Sequence, residues 1–370
     1  MPISRKLNKK ESMQSILKLF LNSKEISKEE IDKLKVKNIL VVRQHNQIGD
    51  MLCSLPLFAA LKKKYPEAKI TLVASVTNYN IVYGDVNPYI NEVLIFNKST
   101  VKHLFAFFKK LRSSHFDIGI VPSTVSVSRT SHFINYFSRA KIRIGVKSIN
   151  GKQNKVDYLL NVKSDFHWDR LKLHQTERNL DIVRQIDCDL TDENKNDLRI
   201  GLSDEEKKFA DEFINTNLTE KNKKIFVFQP GAGKVANRWS VENFTELIIR
   251  LNKKFNTYIL INSGPIDREI TDELTYRLSK SGISTIVLYN PIREVGAILA
   301  KSDLFITNDT GTMHVAAMVN TKVIGLFGPT NAYEWGPLNE NGTYLQSKSQ
   351  NINEITVEDV FNKACEILNK

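Results

Sequence analysis

The sequence predicts an α/β protein of two doubly wound domains facing each other across a cleft. Three observations carry this. Short apolar runs of strand type alternate with stretches of helical period, the rhythm of a parallel sheet covered on both faces. The rhythm starts at Asn38 and restarts at Ile225 after a polar interval. The 370 residues suit two domains, at roughly 150 residues each.

Residues 1–36 read as a basic helical extension whose apolar side is Leu17, Leu19, Phe20 and Leu21. The first domain, 37–195, opens with strand 38–43 (NILVVR). Helical period then runs over 51–64 and closes at Tyr65-Pro66. Further strands are expected at 69–74, 93–96, 117–121 and 143–146, with helices near 99–112 and 129–138. The polar stretch from Asp187 contains CDLTDENKNDL and NTNLTEKNKK, and 196–224 reads as a connecting region. The second domain, 225–350, places strands at 225–229, 258–262, 285–288, 304–307 and 322–327. Its helices lie near 240–254, 267–280, 291–302 and 311–320, and a last helix, 356–368, ends the chain within 351–370.

Hydrophobic residues at 41% and charged residues at 25% exclude a disordered chain or a small disulfide scaffold. Cys53, Cys188 and Cys365 are far apart and lack CxxC spacing, so neither a disulfide framework nor a zinc site is expected. No apolar N-terminal core or membrane-length run stands out, which predicts a cytoplasmic protein. The charge is uneven. From Ile225 onward there are 14 basic and 15 acidic residues, whereas Met1–Lys224 carries 39 and 26. Val93–Val156 holds twelve Lys/Arg and one acid, Asp117. Such a field favours an anionic partner: a phosphorylated glycolipid or glycan, or the inner face of the cytoplasmic membrane. A basic surface that is merely solvated is the plainer alternative. No nucleic-acid module accompanies the basic stretch, and Phe105, Phe107 and Phe108 read as helix core positions.

Four loops carry candidate chemistry. Gly49-Asp50 follows the first strand and opens a helix, the usual functional edge of a parallel sheet; Asp50 is equally suited to be that helix's N-cap. In QPGAGKVANRW, Gly231, Ala232 and Gly233 form a turn whose N–H groups can approach an anion, and Lys234 and Arg238 can add charge. It is neither a Walker A loop nor a GxGxxG fingerprint. In Asn308-Asp-Thr-Gly-Thr-Met-His314, Gly311 and Thr312 offer free N–H groups at a helix start, a diphosphate site. Asp309 can take sugar hydroxyls, and His314 lies one turn in, towards the mouth. A capped helix with a satisfied histidine explains the same residues. In Gly264-Pro-Ile-Asp-Arg-Glu269, Asp267 or Glu269 can take ribose hydroxyls, or simply favour a helix start. Together the loops suit a nucleotide-sugar in the second domain and an acceptor in the first.

The pieces QIGDMLCSLPLFAALKKKYPEAKITLV, PGAGKVANRWSVENFTEL and NDTGTMHVAAMVNTKVIGLFGPTNA resemble the bacterial heptosyltransferases of glycosyltransferase family 9, over roughly residues 38–335. The resemblance implies the GT-B fold and inverting, metal-independent transfer of heptose from an ADP-sugar to the lipopolysaccharide inner core, with no cofactor. It implies Asp50 as general base, Asp309 on the donor sugar, Thr310-Gly311 at the diphosphate, the 231–233 turn on phosphate, and an acid of 267–269 on the ribose. One position departs. The family usually carries Lys two residues before the Trp, where this chain has Asn237, with Lys234 and Arg238 nearby. That departure motivates one rival reading, a non-catalytic nucleotide-sugar or anionic-glycan binder; a GT-B-fold nucleotide-sugar epimerase is another.

Overall fold

The computed structural model describes residues 18, 20–45, 47–82, 87–169, 173–191, 198–220 and 222–369. Leu17 and Leu19 of the expected extension lie outside them. Two sheets form. The first domain contains β1 (Asn38–Val42), β2 (Lys69–Ala74), β3 (Glu92–Ile95), β4 (Ile118–Ile120), β5 (Ile142–Ile149), β6 (Lys152–Gln153) and β7 (Val162–Phe166). Their order is β3-β2-β1-β4-β5-β6, with β7 also paired to β5. The second domain contains β8 (Lys224–Gln229), β9 (Thr257–Asn262), β10 (Thr285–Leu288), β11 (Leu304–Asn308), β12 (Val323–Phe327) and β13 (Gly342–Gln346), in the order β10-β9-β8-β11-β12-β13. This second sheet is parallel throughout. Its central strands are buried on both faces, as their continuous apolar runs require.

In each sheet the strand order reverses once, between β1 and β4 and between β8 and β11. A parallel sheet opens a crevice at such a point, because the helices leaving the two strands go to opposite faces. The two crevices face each other.

The expected helix 51–64 is two helices, Ile48–Leu52 and Leu55–Lys64. Pro56 stands at the start of the second and has no N–H for the carbonyl of Leu52, so the ladder breaks there. The consequence reaches the site. Gln47 takes the N-cap, and Asp50 sits in the first turn rather than capping it.

The stretch read as a connection holds a helix, Asp204–Asn217, started by a capping box between Ser203 and Glu206. Its Ala210 and Phe213 join the second domain's core, whereas Leu198 and Ile200 belong to the first. Helix Gln175–Arg184 was not expected either; it packs on Leu55–Lys64. The last helix, Val357–Leu368, packs on Val241–Phe255 and extends the second core. Near the N-terminus, the short helix Lys28–Asp32 is held by Ile31 in the first core. One helix serves both domains. In Gly311–Met318, Val315 and Met318 pack into the first core, and Met313, Ala316 and Ala317 into the second.

Candidate active-site cleft

A cleft of about 1190 Å³ lies between the domains. Its first-domain wall comes chiefly from the loops after β1 and β4, with Arg43, His45, Gln47–Asp50 and Pro122–Ser126, and Thr77 adds to it from the loop after β2. The opposite wall comes from the loops after β8, β9, β11 and β12, with Tyr289 to Ile292 at one side. The side chains thus come chiefly from the two switch points.

Arg43 is the polar centre of the first wall. It is buried, 5% exposed, and its guanidinium donates to the Pro122 carbonyl, to the Asp50 carbonyl (2.9 Å) and to Asp50 Oδ1 (2.8 Å). No hydrogen bond from a described residue reaches Oδ2. So Asp50 is a braced carboxylate with one oxygen available to the cleft, and the capping alternative falls away. Arg43 was not singled out in the sequence; its signal was a cation ending an otherwise apolar strand.

The second wall is bound together from beneath. Asn308, at the end of β11, donates to the carbonyl of Pro230 (2.8 Å) and accepts from the N–H of Trp239 (3.1 Å), tying two loops into one unit. Asn262 donates to Gln229 across the ends of β9 and β8. Asp267 tucks under Gly231, where a Cβ would lie 2.0 Å from its Cγ, and its Oδ2 accepts from the Gly264 N–H (3.2 Å). This close approach is why residue 231 lacks a side chain.

The expected ligand residues therefore divide. Ala232, Gly233, Lys234, Asn237, Gly264, Asp267, Asp309, Thr310, Gly311, Thr312 and His314 line the cleft, as do Gly49 and Asp50. Gly231, Arg238 and Glu269 do not. Gly231 lies against Asp267; Arg238 donates to the Ala232 carbonyl and its guanidinium is 3.7 Å from Asp267, so it shapes the turn rather than offering charge. Glu269 is exposed in the first turn of helix Arg268–Lys280, off the cleft wall. Thr330, which was not foreseen, lines the cleft and accepts from Asn237.

Asn237 is buried and donates to Asp309 Oδ2 (3.0 Å) and to Thr330 (3.2 Å). Burial holds the Asp309 carboxyl above its ordinary range, opposed by the Thr330 hydrogen bond and the Lys234 charge. Thr310 caps helix Gly311–Met318 through its hydroxyl, which accepts from the Met313 N–H. The N–H groups ahead of that bond remain at the cleft.

His314 is not poised at the mouth. It is buried in the domain junction, its Nδ1 4.0 Å from the Cys53 sulfur, and a Cβ on Gly49 would lie 2.8 Å from its Cδ2. Burial pushes its pKa down to about 3, so the ring is neutral at physiological pH. A Cβ on Gly311 would likewise lie 3.1 Å from Ile48 Cβ. Two helix starts, one per domain, therefore abut at the cleft floor, beside Asp50.

The basic cluster of the first domain lies elsewhere. Arg139, Lys141, Arg143 and Lys147 do not line the cleft. Arg143 donates to the Leu159 and Ala140 carbonyls and to Ser23, Lys141 pairs with Asp117, and Lys147 pairs with Asp165. Strand-end bracing, not acceptor capture, is the visible role of Arg143, Lys141 and Lys147.

Similarity to known proteins agrees with this fold. The chain is 26% identical over 309 residues to lipopolysaccharide heptosyltransferase 3 of Escherichia coli K12, spanning 79% of this chain and 83% of that one. Among solved structures, a glycosyl transferase family 9 protein from Veillonella parvula superposes with a TM-score of 0.77 at 20% identity, covering 91% of this chain and 98% of that one. E. coli ADP-heptose lps heptosyltransferase II superposes with a TM-score of 0.70 at 21% identity, covering 90% and 98%. The shared architecture is GT-B. Residues 104–365 match the profile of glycosyltransferase family 9 (heptosyltransferase), and the chain belongs to that family.

Proposed function

We propose that this glycosyltransferase moves a heptose, with inversion and without a metal, from an ADP-sugar to a phosphorylated glycan acceptor of the lipopolysaccharide core. The observation that carries the reading is the abutting pair of helix starts: Asp50, braced by Arg43, stands on one side of the contact and the N–H groups of Gly311 and Thr312 on the other. The donor class is supported by the heptosyltransferase relatives, one of which is described as using ADP-heptose.

In this mechanism Asp50 Oδ2 takes the proton of the acceptor hydroxyl while that oxygen attacks the anomeric carbon. The bond from that carbon to the diphosphate oxygen breaks on the opposite face, and its electron pair leaves with the nucleoside diphosphate. Lys234 and the amide groups at the start of helix Gly311–Met318 meet the charge that develops there. Asp309, fixed by Asn237, takes hydroxyls of the donor sugar. General-base assistance of this kind contributes ~10²–10⁴ in rate.

The test is transfer from ADP-heptose to a truncated, water-soluble core acceptor in the presence of EDTA, with the anomeric configuration of the product read by NMR. Inverted product formed at full rate supports the proposal. A strict divalent-metal requirement, retention of configuration, or conversion of the donor without an acceptor would contradict it.

A further inference from the structure

We infer that the face formed by helices Val101–Ser113 and Arg129–Phe137 docks the protein on an anionic lipid bilayer. This deepens the acceptor class proposed above, and rests on that reading only for its purpose; the surface itself is read from other residues.

Helix Val101–Ser113 buries Phe107 and Leu111, with Leu104 packed beside them. At 100° per residue Lys102 and Lys109 lie opposite that buried side, and Val101, Arg112 and Phe105 form an exposed stripe between the two lysines and Phe108. Val101 is 83% exposed and Phe105 72% exposed, so Phe105 is not the core residue its sequence position suggested. Phe108 stands at the edge of this stripe. Its ring meets Phe137 edge-on at 6.0 Å, and Phe137 is itself 44% exposed. Phe137 ends the second helix and stacks on Phe133. Isolated exposed apolar residues need no explanation. Here several large ones share one surface, and its charged rim is of one sign.

The charges make the choice of partner. Lys102, Lys109, Arg112 and Arg139 form no ion pair with a described residue. The nearby acids are committed: Glu92 pairs with Lys110, and Asp117, the one acid of Val93–Val156, accepts from the Lys37 and Asn38 N–H groups and from Lys141. Exposed aromatic and aliphatic side chains inside a Lys/Arg rim match the acyl–headgroup boundary of an anionic membrane. Position agrees with this. Helix Arg129–Phe137 begins three residues after Ser126 on the cleft wall, and its nine residues span about 13 Å. A bilayer against this face would present a lipid-anchored glycan close to Asp50.

The experiment is co-sedimentation of the full chain with vesicles of equimolar phosphatidylglycerol and phosphatidylethanolamine, against vesicles of phosphatidylcholine. Two variants are compared: Phe105→Ser, and Lys102→Gln/Lys109→Gln/Arg112→Gln together. All substituted side chains are exposed, so thermal unfolding should match the parent, and transfer to a soluble acceptor should be unchanged in both. We expect binding to the anionic vesicles only, weakened about tenfold by Phe105→Ser and by more than tenfold, with a flattened salt dependence, by the triple change. Equal binding to phosphatidylcholine, full binding by both variants, or retention of an RNA duplex in place of vesicles would overturn the inference. Vesicle binding does not depend on turnover, so failure of the transfer assay and failure of the docking assay are separate results.

Discussion

Gly49→Ala offers a test whose sign is diagnostic. Gly49 lies inside helix Ile48–Leu52, where alanine would ordinarily stabilise by ~0.5–1 kcal/mol. In this fold the added Cβ would stand 2.8 Å from His314 Cδ2 and 3.0 Å from Nε2. Ordinary carbon contacts lie at about 3.5–4.0 Å, so the helix or the ring must yield by roughly 0.7 Å. The ring cannot swing into solvent, because it is buried against Cys53. The strain should cost ~1–3 kcal/mol and outweigh the propensity gain, lowering Tm by several degrees. Asp50 is the next residue, so the same displacement moves the proposed base, and turnover should fall by up to ~10²-fold. The assay is thermal unfolding alongside transfer kinetics, with His314→Ala and the double variant completing a cycle. Removing the ring makes room for the methyl group, so the double variant should be more stable than the two single effects add up to. A raised Tm with normal turnover in Gly49→Ala, or strict additivity in the cycle, would show that Gly49 is not pressed on His314 at the domain junction.

Three further outcomes follow from the same contacts. Arg43→Met leaves the Asp50 carboxylate and the Pro122 carbonyl without their buried donor; we expect a loss of ~3 kcal/mol in denaturant unfolding and a large fall in kcat, with Arg43→Lys restoring only part, since one ammonium cannot reproduce the fork. Glu334→Ala removes the carboxylate that pairs across the domains with Arg178, 2.8 Å away and 2% exposed, and should cost ~3–5 kcal/mol; a change within 1 kcal/mol would show that the link is not structural. Burial holds His314 at about 3 and His174 at about 4, while both titrate near 6.5 in the unfolded chain. The unfolded state therefore binds more protons in this window, and stability should fall as pH drops from about 6.5 towards 4, by up to ~1.4 kcal/mol per pH unit per histidine; a flat Tm between pH 7 and 5 would contradict this.

Most of the alternation was legible because the strands of these sheets are continuous apolar runs and the helices are amphipathic. What escaped has physical causes. Strand Gly342–Gln346 is an edge strand with a polar, half-exposed sequence, so no apolar run marks it. Helix Asp204–Asn217 is strongly polar because only one narrow side meets the second core. The site loops stood out through their glycines, but local sequence cannot say which glycines face a ligand and which face the protein. Gly233 has open space around it, whereas Gly231 is pressed on Asp267 and Gly49 on His314. The same limit misplaced Arg238 and Glu269, whose charges suit a phosphate or a ribose but lie off the cleft wall. Arg43 became visible only when strand β1 brought its end beside the first turn of the next helix.

One substitution separates Asp50 as the proposed base of a sugar transfer from Asp50 as a structural carboxylate. Asp50→Asn keeps the size of the side chain and an oxygen for Arg43, while removing its capacity to accept a proton. Single-turnover transfer with saturating ADP-heptose and a soluble core acceptor measures the difference. A base role predicts a rate at least ~10²-fold below the parent, with donor affinity and Tm nearly unchanged. A rate within a factor of two or three of the parent would contradict it.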